Sequence, residues 1–140
     1  ECVMGAVFAE ITLKNVFDEG KAEEGLIRED EVRSVTVKAV VDTGASTIVI
    51  NEELRQKLGL EKMEERRYKL ADGKRVPGWR TKPVGIRWKD RSCAVQAVVI
   101  PEADKVLLGA IPLEDMDLMV HPKTQEVVGA HGDEQLYWLL

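Results

Sequence analysis

The sequence is poor in residues that mark several common classes of protein. It contains two cysteines, Cys2 and Cys93, and because they form no Cys-x-x-Cys pair they indicate neither a zinc site nor a disulfide scaffold. This cysteine usage fits a reducing, cytoplasmic compartment. The two histidines, His121 and His131, have no neighbouring cysteine and no His-Glu-x-x-His pattern, so we interpret them as surface residues and expect no metal site.

An excess of basic charge is also missing. The chain has 20 basic and 25 acidic residues, a net charge of −5 at pH 7, which argues against a nucleic-acid partner. No run approaches the roughly 18 apolar residues of a membrane helix and no leader pattern opens the sequence, so we expect no membrane partner. The first residue is Glu1 rather than Met, which leaves open whether residues precede it, and Met4 is a candidate start.

What the sequence does contain is enough apolar residues for one core. With 140 residues, 44% of them apolar, we predict a single domain over residues 1–140 that needs no disulfide or metal. Residues 18–31 carry seven acidic and two basic side chains and little apolar surface, so we predict an exposed acidic loop there.

Alternation of apolar and polar residues predicts several short strands. The alternating segments are 7–13, 35–41, 84–88 and 93–100, and residues 127–128 and 136–140 are candidates for the last strands. Short helices are predicted between Asn51, a good N-cap, and Gly59, and again at Pro112. Short strands with closely spaced turns are typical of a barrel or sandwich, so the fold class is mainly β.

One dense cluster of functional groups follows the predicted strand 35–41. Its residues are Asp42, Thr43, Gly44, Ala45 and Ser46. We expect the apolar approach to dehydrate Asp42 in part, Gly44 to allow a tight turn, and the hydroxyls of Thr43 and Ser46 to bind a carboxylate or backbone. An ordinary β-turn, in which Asp and Ser bond their own backbone, is the alternative interpretation.

Two further motifs follow in the chain. The Asp-Gly pair at 72–73 predicts a β-hairpin over residues 68–76, with its tip at Ala71, Asp72, Gly73 and Lys74. Farther on, an apolar stretch ends at Leu107, Leu108 and Gly109, just before the second predicted helix.

These three motifs together resemble the retropepsin-like aspartic proteases. Residues 41–46, Val-Asp-Thr-Gly-Ala-Ser, resemble the active-site loop of that family. Residues 70–73, Leu-Ala-Asp-Gly, occupy the place of its flap, and residues 106–110, Val-Leu-Leu-Gly-Ala, resemble its second motif. The resemblance covers roughly residues 35–128, and the chain length is closer to the cellular prokaryotic members than to the retroviral subunits.

The resemblance implies a closed β-barrel of the acid-protease type with one or two short helices, acting as an aspartic endopeptidase without a cofactor. A pepsin-type mechanism needs two carboxylates that share a proton, and the chain has one Asp-Thr-Gly. The implied active species is therefore a homodimer in which each subunit contributes Asp42. One Asp42 would take a proton from water while its protonated partner donates to the scissile carbonyl oxygen.

Other roles also come from the resemblance. Thr43 would bond across the dimer, Gly44 would contact the substrate backbone, and Ser46 would bond the outer oxygen of Asp42. The hairpin tip, residues 71–74, would close over an extended peptide substrate.

Some features depart from the retroviral pattern. Ala110 stands where retroviral enzymes have an arginine that helps to hold the dimer together, so the retroviral dimer interface cannot be assumed here. Residues 136–140 are a candidate interface strand. Lys74 and Arg75 stand beside the flap tip, which departs from the retroviral pattern, so the substrate preference of the retroviral enzymes cannot be assumed for this chain. Tyr68 and Trp79 are candidate pocket aromatics that we leave unassigned. The alternatives are an inactive dimeric peptide-binding or assembly module of the same fold, and a monomeric β domain with an incidental Asp-Thr-Gly turn.

Overall fold

The structure is a computed structural model that describes residues 6–139. The strands in this range are β1 (Phe8–Asn15), β2 (Ser34–Val41), β3 (Ile48–Ile50), β4 (Lys62–Lys69), β5 (Arg75–Trp88), β6 (Arg91–Val99), β7 (Leu107–Leu108), β8 (Leu118–Val120) and β9 (Val127–Gly129). The helices in this range are α1 (Val16–Glu23), α2 (Glu52–Leu58) and α3 (Ala110–Asp115), and a 3₁₀ turn spans Glu29–Glu31.

Seven strands form one sheet in the order β1-β2-β7-β3-β6-β5-β4. Because β1 also pairs with β5, the backbone pairings run in a ring through six strands, and β4 extends outward from β5. Strands β8 and β9 form a separate two-stranded sheet. The mainly β class is confirmed, and the closed barrel stays a prediction that this ring of pairings supports.

The core consists of the alternate apolar side chains of these strands, as expected when one face of each strand is covered. Fully buried members include Leu13, Ile48, Ile86 and Leu108, and α2 and α3 add further apolar side chains. Within residues 6–139, no helix has the length and apolar character that crossing a membrane requires.

Helix α2 confirms a prediction that rests on local signals. The Asn51 side chain accepts a hydrogen bond from the backbone N–H of Leu54 at 2.8 Å, as an N-cap residue does. Gly59 ends the helix with φ of 64°, a left-handed conformation that glycine adopts without strain.

The prediction of an exposed loop over residues 18–31 is wrong in its first part, because α1 occupies Val16–Glu23. Asn15 caps this helix by accepting from the backbone N–H of Asp18 at 3.0 Å. Asp18 is buried and accepts from Arg33 Nε at 2.8 Å and Nη2 at 3.1 Å. This pair, which holds the pKa of Asp18 below its usual value, joins residues 15 apart and therefore has no local sequence signal.

The predicted strand at 136–140 is also wrong for the residues the structure describes, and Leu140 lies outside them. Residues 136–139 form no strand, and Trp138 and Leu139 are 96% and 93% exposed. Their attachment to the fold is a hydrogen bond from the backbone N–H of Leu136 to Asp117 Oδ2 at 3.0 Å. This segment is therefore no part of the core, and its role as an interface segment stays a prediction.

Candidate active site

The Asp42 loop begins where β2 ends. The backbone N–H of Ala45 donates to the carbonyl of Asp42 at 3.0 Å, and the N–H of Gly44 donates to Asp42 Oδ1 at 2.9 Å. The Asp42 side chain is exposed, whereas the sequence predicted partial dehydration. The reason is that the loop lies beyond the apolar end of β2, and no other part of residues 6–139 covers the carboxylate.

The second motif lies directly under this loop. Strand β7 pairs with both β2 and β3, the two strands that the loop connects. The backbone N–H of Asp42 donates to the carbonyl of Leu108 at 3.0 Å, and the N–H of Ala110 donates to the carbonyl of Ala45 at 2.9 Å. The two sequence motifs, 42–46 and 107–109, are therefore brought together, and the second one fixes the backbone of the first.

Gly109 is required here by close packing. A Cβ at this position would lie 2.4 Å from the carbonyl oxygen of Thr47 and 2.5 Å from that of Ala45, closer than real Cβ contacts. Just beyond it, the N–H of Ile111 donates to the carbonyl of Ser46 at 2.9 Å. The start of α3 is thereby joined to the end of the Asp42 loop.

The hydroxyl-bearing residues of the loop make fewer hydrogen bonds than the resemblance implies. Thr43 and Ser46 are exposed, and within residues 6–139 no hydrogen bond joins the Ser46 hydroxyl to Asp42. A Cβ on Gly44 would lie 3.1 Å from Asp42 Oδ1, so the absence of a side chain lets the carboxylate accept from the backbone. The roles of Thr43 and Ser46 stay predictions.

The hairpin between β4 and β5 has its turn where the Asp-Gly pair predicted it. The N–H of Gly73 donates to the carbonyl of Leu70 at 2.9 Å, and the N–H of Lys74 donates to Asp72 Oδ1 at 2.9 Å. Gly73 has φ of 89°. The strand pairing extends back to Lys62, so the hairpin is longer than predicted, and its tip, residues 71–74, is exposed.

A groove of about 430 Å³ lies between the Asp42 loop and the base of this hairpin. Its lining includes Ser46, Thr47, Arg66, Tyr68, Arg80, Gln96 and Ile111. The tip residues 71–74 do not line it. We call this space the hairpin groove. The sequence did not single out Arg66 or Arg80, although the two-residue spacing of Arg66 and Tyr68 on one strand face was an available signal.

Other nucleophiles and metal ligands are less well placed. Burial raises the pKa of Cys93 to about 12, so this thiol is not a thiolate at ordinary pH. His131 Nδ1 lies 2.8 Å from Asp117 Oδ2 and so holds the chain segment after β9. Residues 6–139 contain no group of three or more His, Cys, Asp or Glu side chains placed to hold a metal ion.

The Asp-Thr-Gly loop at the end of β2, the Leu-Leu-Gly motif that supports it and the β4–β5 hairpin define the class of the retropepsin-like aspartic proteases. The aspartyl protease family model matches residues 29–111, more than half of the chain, and the chain belongs to that family.

A solved structure agrees with this fold. The retroviral EIAV protease complexed with the inhibitor HBY-793 aligns with a TM-score of 0.54 and 17% sequence identity, over 82% of this chain and 91% of that chain. At this sequence identity the similarity shows the fold alone. None of the curated proteins matches the chain.

Proposed function

We propose that this protein is an aspartic endopeptidase in which two Asp42 carboxylates, one from each subunit of a homodimer, activate a water molecule. The observation that carries the proposal is the Asp42 loop, which presents an exposed carboxylate from a backbone fixed by β7. Two carboxylates about 3 Å apart share one proton, because both cannot ionise at that distance, and this pairing supplies a base and an acid together.

The surface beside the loop supports assembly with a second copy. Ile111, which is 52% exposed, lies next to Ser46 and also lines a groove of about 610 Å³ with Leu136, Tyr137 and Trp138. Contiguous exposed apolar side chains of this kind mark interaction surfaces. A second chain on this face would place its own loop near the first, as a two-fold interface requires.

In the assembled site the ionised Asp42 takes a proton from the water, and the protonated Asp42 donates to the carbonyl oxygen of the scissile bond. The water oxygen attacks the carbonyl carbon directly, so no acyl-enzyme forms. Two apparent pKa values then describe the pair and belong to neither residue alone. The β4–β5 hairpin would bind the substrate as an added extended strand.

Replacement of the carboxylate tests this proposal. We expect Asp42→Asn to lower cleavage of an unstructured protein between about pH 3 and pH 7 by roughly 10³-fold, as expected for loss of a general base. The matched control is Asp90→Asn, an exposed aspartate in the turn between β5 and β6, which should keep wild-type cleavage. Cleavage by Asp42→Asn at the wild-type rate would contradict the proposal.

The second candidate is a dimeric peptide-binding or assembly module without catalysis. Within residues 6–139 the Ser46 hydroxyl makes no hydrogen bond to Asp42, unlike the role that the resemblance implies, and this favours a loop that does not catalyse. This candidate predicts a dimer that binds extended peptides equally well with Asp42→Asn and cleaves none at any pH.

A further inference from the structure

The base of the β4–β5 hairpin presents polar groups to the hairpin groove. Arg66 and Tyr68 lie two residues apart on β4 and therefore share one face of the strand, while Arg80 comes from β5. Arg80 Nη2 donates to Gln96 Oε1, and the Thr47 hydroxyl donates to the carbonyl of Gln96 at 2.8 Å. Gln96 therefore binds both the guanidinium of Arg80 and Thr47, which follows the Asp42 loop.

Positive charge in this groove is only partly compensated. Glu64 Oε1 lies 3.1 Å from Arg80 Nε and 3.5 Å from Arg66 Nη2, and among the described residues it is the one carboxylate within 4 Å of either guanidinium. One carboxylate between two arginines leaves one positive charge unpaired. Residues 62–82 as a whole carry eight basic and three acidic side chains, in a chain whose net charge is −5.

The hydroxyl of Tyr68 is a second, independent feature. It is buried and has no hydrogen-bond partner among residues 6–139. Burial also raises the pKa of this phenol, so it keeps its proton and is a donor. Buried donors are almost always paired in native proteins, and because Tyr68 lines the groove, a ligand that enters it can supply the missing acceptor.

We propose that the hairpin groove is a subsite for an acidic side chain, Asp or Glu, of an extended peptide substrate. This inference rests on the proposed peptidase function and adds the substrate class. The substrate carboxylate accepts hydrogen bonds from the Tyr68 hydroxyl and from the guanidinium groups of Arg66 and Arg80, so that two carboxylates balance two arginines. A substrate Lys or Arg at the same position would meet like charge and is disfavoured.

Binding without turnover tests the subsite, so the host protein is Asp42→Asn. The probes are fluorescein-labelled octapeptides in which one Glu is moved along a neutral, otherwise fixed sequence, each paired with its Gln counterpart, and affinity is measured by anisotropy. We expect Glu to bind about tenfold more tightly than Gln at one position, which is the size of one charge-assisted contact. Equal affinity of Glu and Gln peptides at every position would overturn the proposal.

Variants in the same host assign the preference to the groove. Arg80→Gln should reduce the Glu preference to less than about twofold, and Tyr68→Phe should reduce it about threefold. Arg87→Gln, an exposed arginine near the far end of β5 that does not line the groove, is the matched control and should leave it unchanged. A preference that Arg80→Gln leaves intact, or that Arg87→Gln removes, would overturn the assignment.

Glu64→Gln keeps the test decisive if Arg80→Gln fails to fold. Removing the internal carboxylate leaves both arginines free for the substrate, so the Glu preference should rise by at least about threefold. A preference that stays the same or falls in this variant would overturn the proposal.

Cleavage of the same peptides by the wild-type protein separates the two proposals. Cleavage without any Glu preference would overturn the subsite and leave the peptidase function standing. Preferential binding of Glu peptides with no cleavage of any peptide would overturn the peptidase function and leave the subsite standing.

Discussion

Gly109 is the residue on which the support of the Asp42 loop depends most directly. Its backbone has φ of −93°, which any residue adopts, so only the close approach of two carbonyl oxygens excludes a side chain. We expect Gly109→Ala to lower the free energy of unfolding by about 1–3 kcal/mol, the range for overpacking a tight site, and to reduce cleavage by displacing the loop. Urea unfolding measures the first effect and a peptide assay the second.

Gly20→Ala is the matched control for that substitution. Gly20 lies within α1 and a Cβ there would meet nothing within 4 Å, so alanine should stabilise the protein by roughly 0.5–1 kcal/mol. Equal effects of the two substitutions would show that the packing at Gly109 is looser than described.

Asp18 and Asp42 show how far single residues can be interpreted from sequence. Asp42 was identified because its neighbours Thr43 and Gly44 form a local motif. Asp18 lies in the acidic stretch of residues 18–31, where the sequence predicted an exposed loop. Its burial depends on Arg33, a partner 15 residues away that no local pattern indicates. Local chemistry was therefore predictable, and pairing at a distance was not.

Among the elements, α2 is held to β4 by an acid whose titration affects stability. Glu52 lies 2.9 Å from Arg55 Nε and 3.6 Å from Lys62 Nζ, and the hydrogen bonds from Arg55 lower its pKa to about 2. A lowered folded-state pKa contributes stability above the unfolded value, near 4.5, and that contribution is lost as the pH falls toward 2.

The corresponding prediction concerns Glu52→Gln. Above about pH 5 the wild type should be more stable than the variant by roughly 1 kcal/mol, and this difference should shrink steadily between pH 4.5 and pH 2. Thermal unfolding across this range measures it. Glu53→Gln is the control, because the Glu53 side chain is 78% exposed and its Lys57 contact is 3.9 Å long. A difference that grows as the pH falls would contradict the sign of this argument.

The elements that were predicted share one property, which is that their signals are local. The cap at Asn51, the left-handed Gly59 and the Asp-Gly turn of the hairpin each act within a few residues. Helix α1 was missed although its N-cap, Asn15, is also a local signal, because the ion pair between Asp18 and Arg33 joins residues 15 apart. The apolar run at 136–139 was interpreted as a strand, since apolar residues alone do not distinguish a core strand from an exposed segment.

At the scale of the whole molecule, residues 136–140 allow assembly to be separated from folding. The described part of this segment is exposed, so its deletion should leave the unfolding temperature within about 2 °C of wild type. If it lies against a second copy, the same deletion should raise the concentration needed for half-maximal cleavage by about tenfold or more. Activity measured over a dilution series, with sedimentation in parallel, gives both quantities.

Two other outcomes of deleting residues 136–140 would contradict this prediction. A deleted chain that cleaves and sediments like the wild type at every concentration would exclude this segment from the interface. A deleted chain that unfolds at a much lower temperature would show that the segment stabilises the single chain.

The sequence predicted the motifs of the candidate site but not the hairpin groove beside them. The Asp42 loop and the motif ending at Gly109 were both identified from the sequence, whereas the contact between them comes from the structure. The hairpin groove depends instead on which residues of β4, β5 and β6 face each other, and a bulge between Lys62 and Glu65 shifts that register. One shifted residue reverses the face that a side chain occupies, so Arg80 could not be placed from sequence.

The central claim, that two chains share one catalytic site, is tested most directly by mixing. Wild-type protein at fixed concentration is combined with increasing Asp42→Asn protein, well above the dimer dissociation constant, and cleavage is measured. Because mixed dimers contain one Asp42, activity should fall to about half at equal amounts and to about one tenth at ninefold excess. Asp90→Asn, which keeps Asp42, should cause no such fall. Activity that is independent of added Asp42→Asn protein would contradict the shared site.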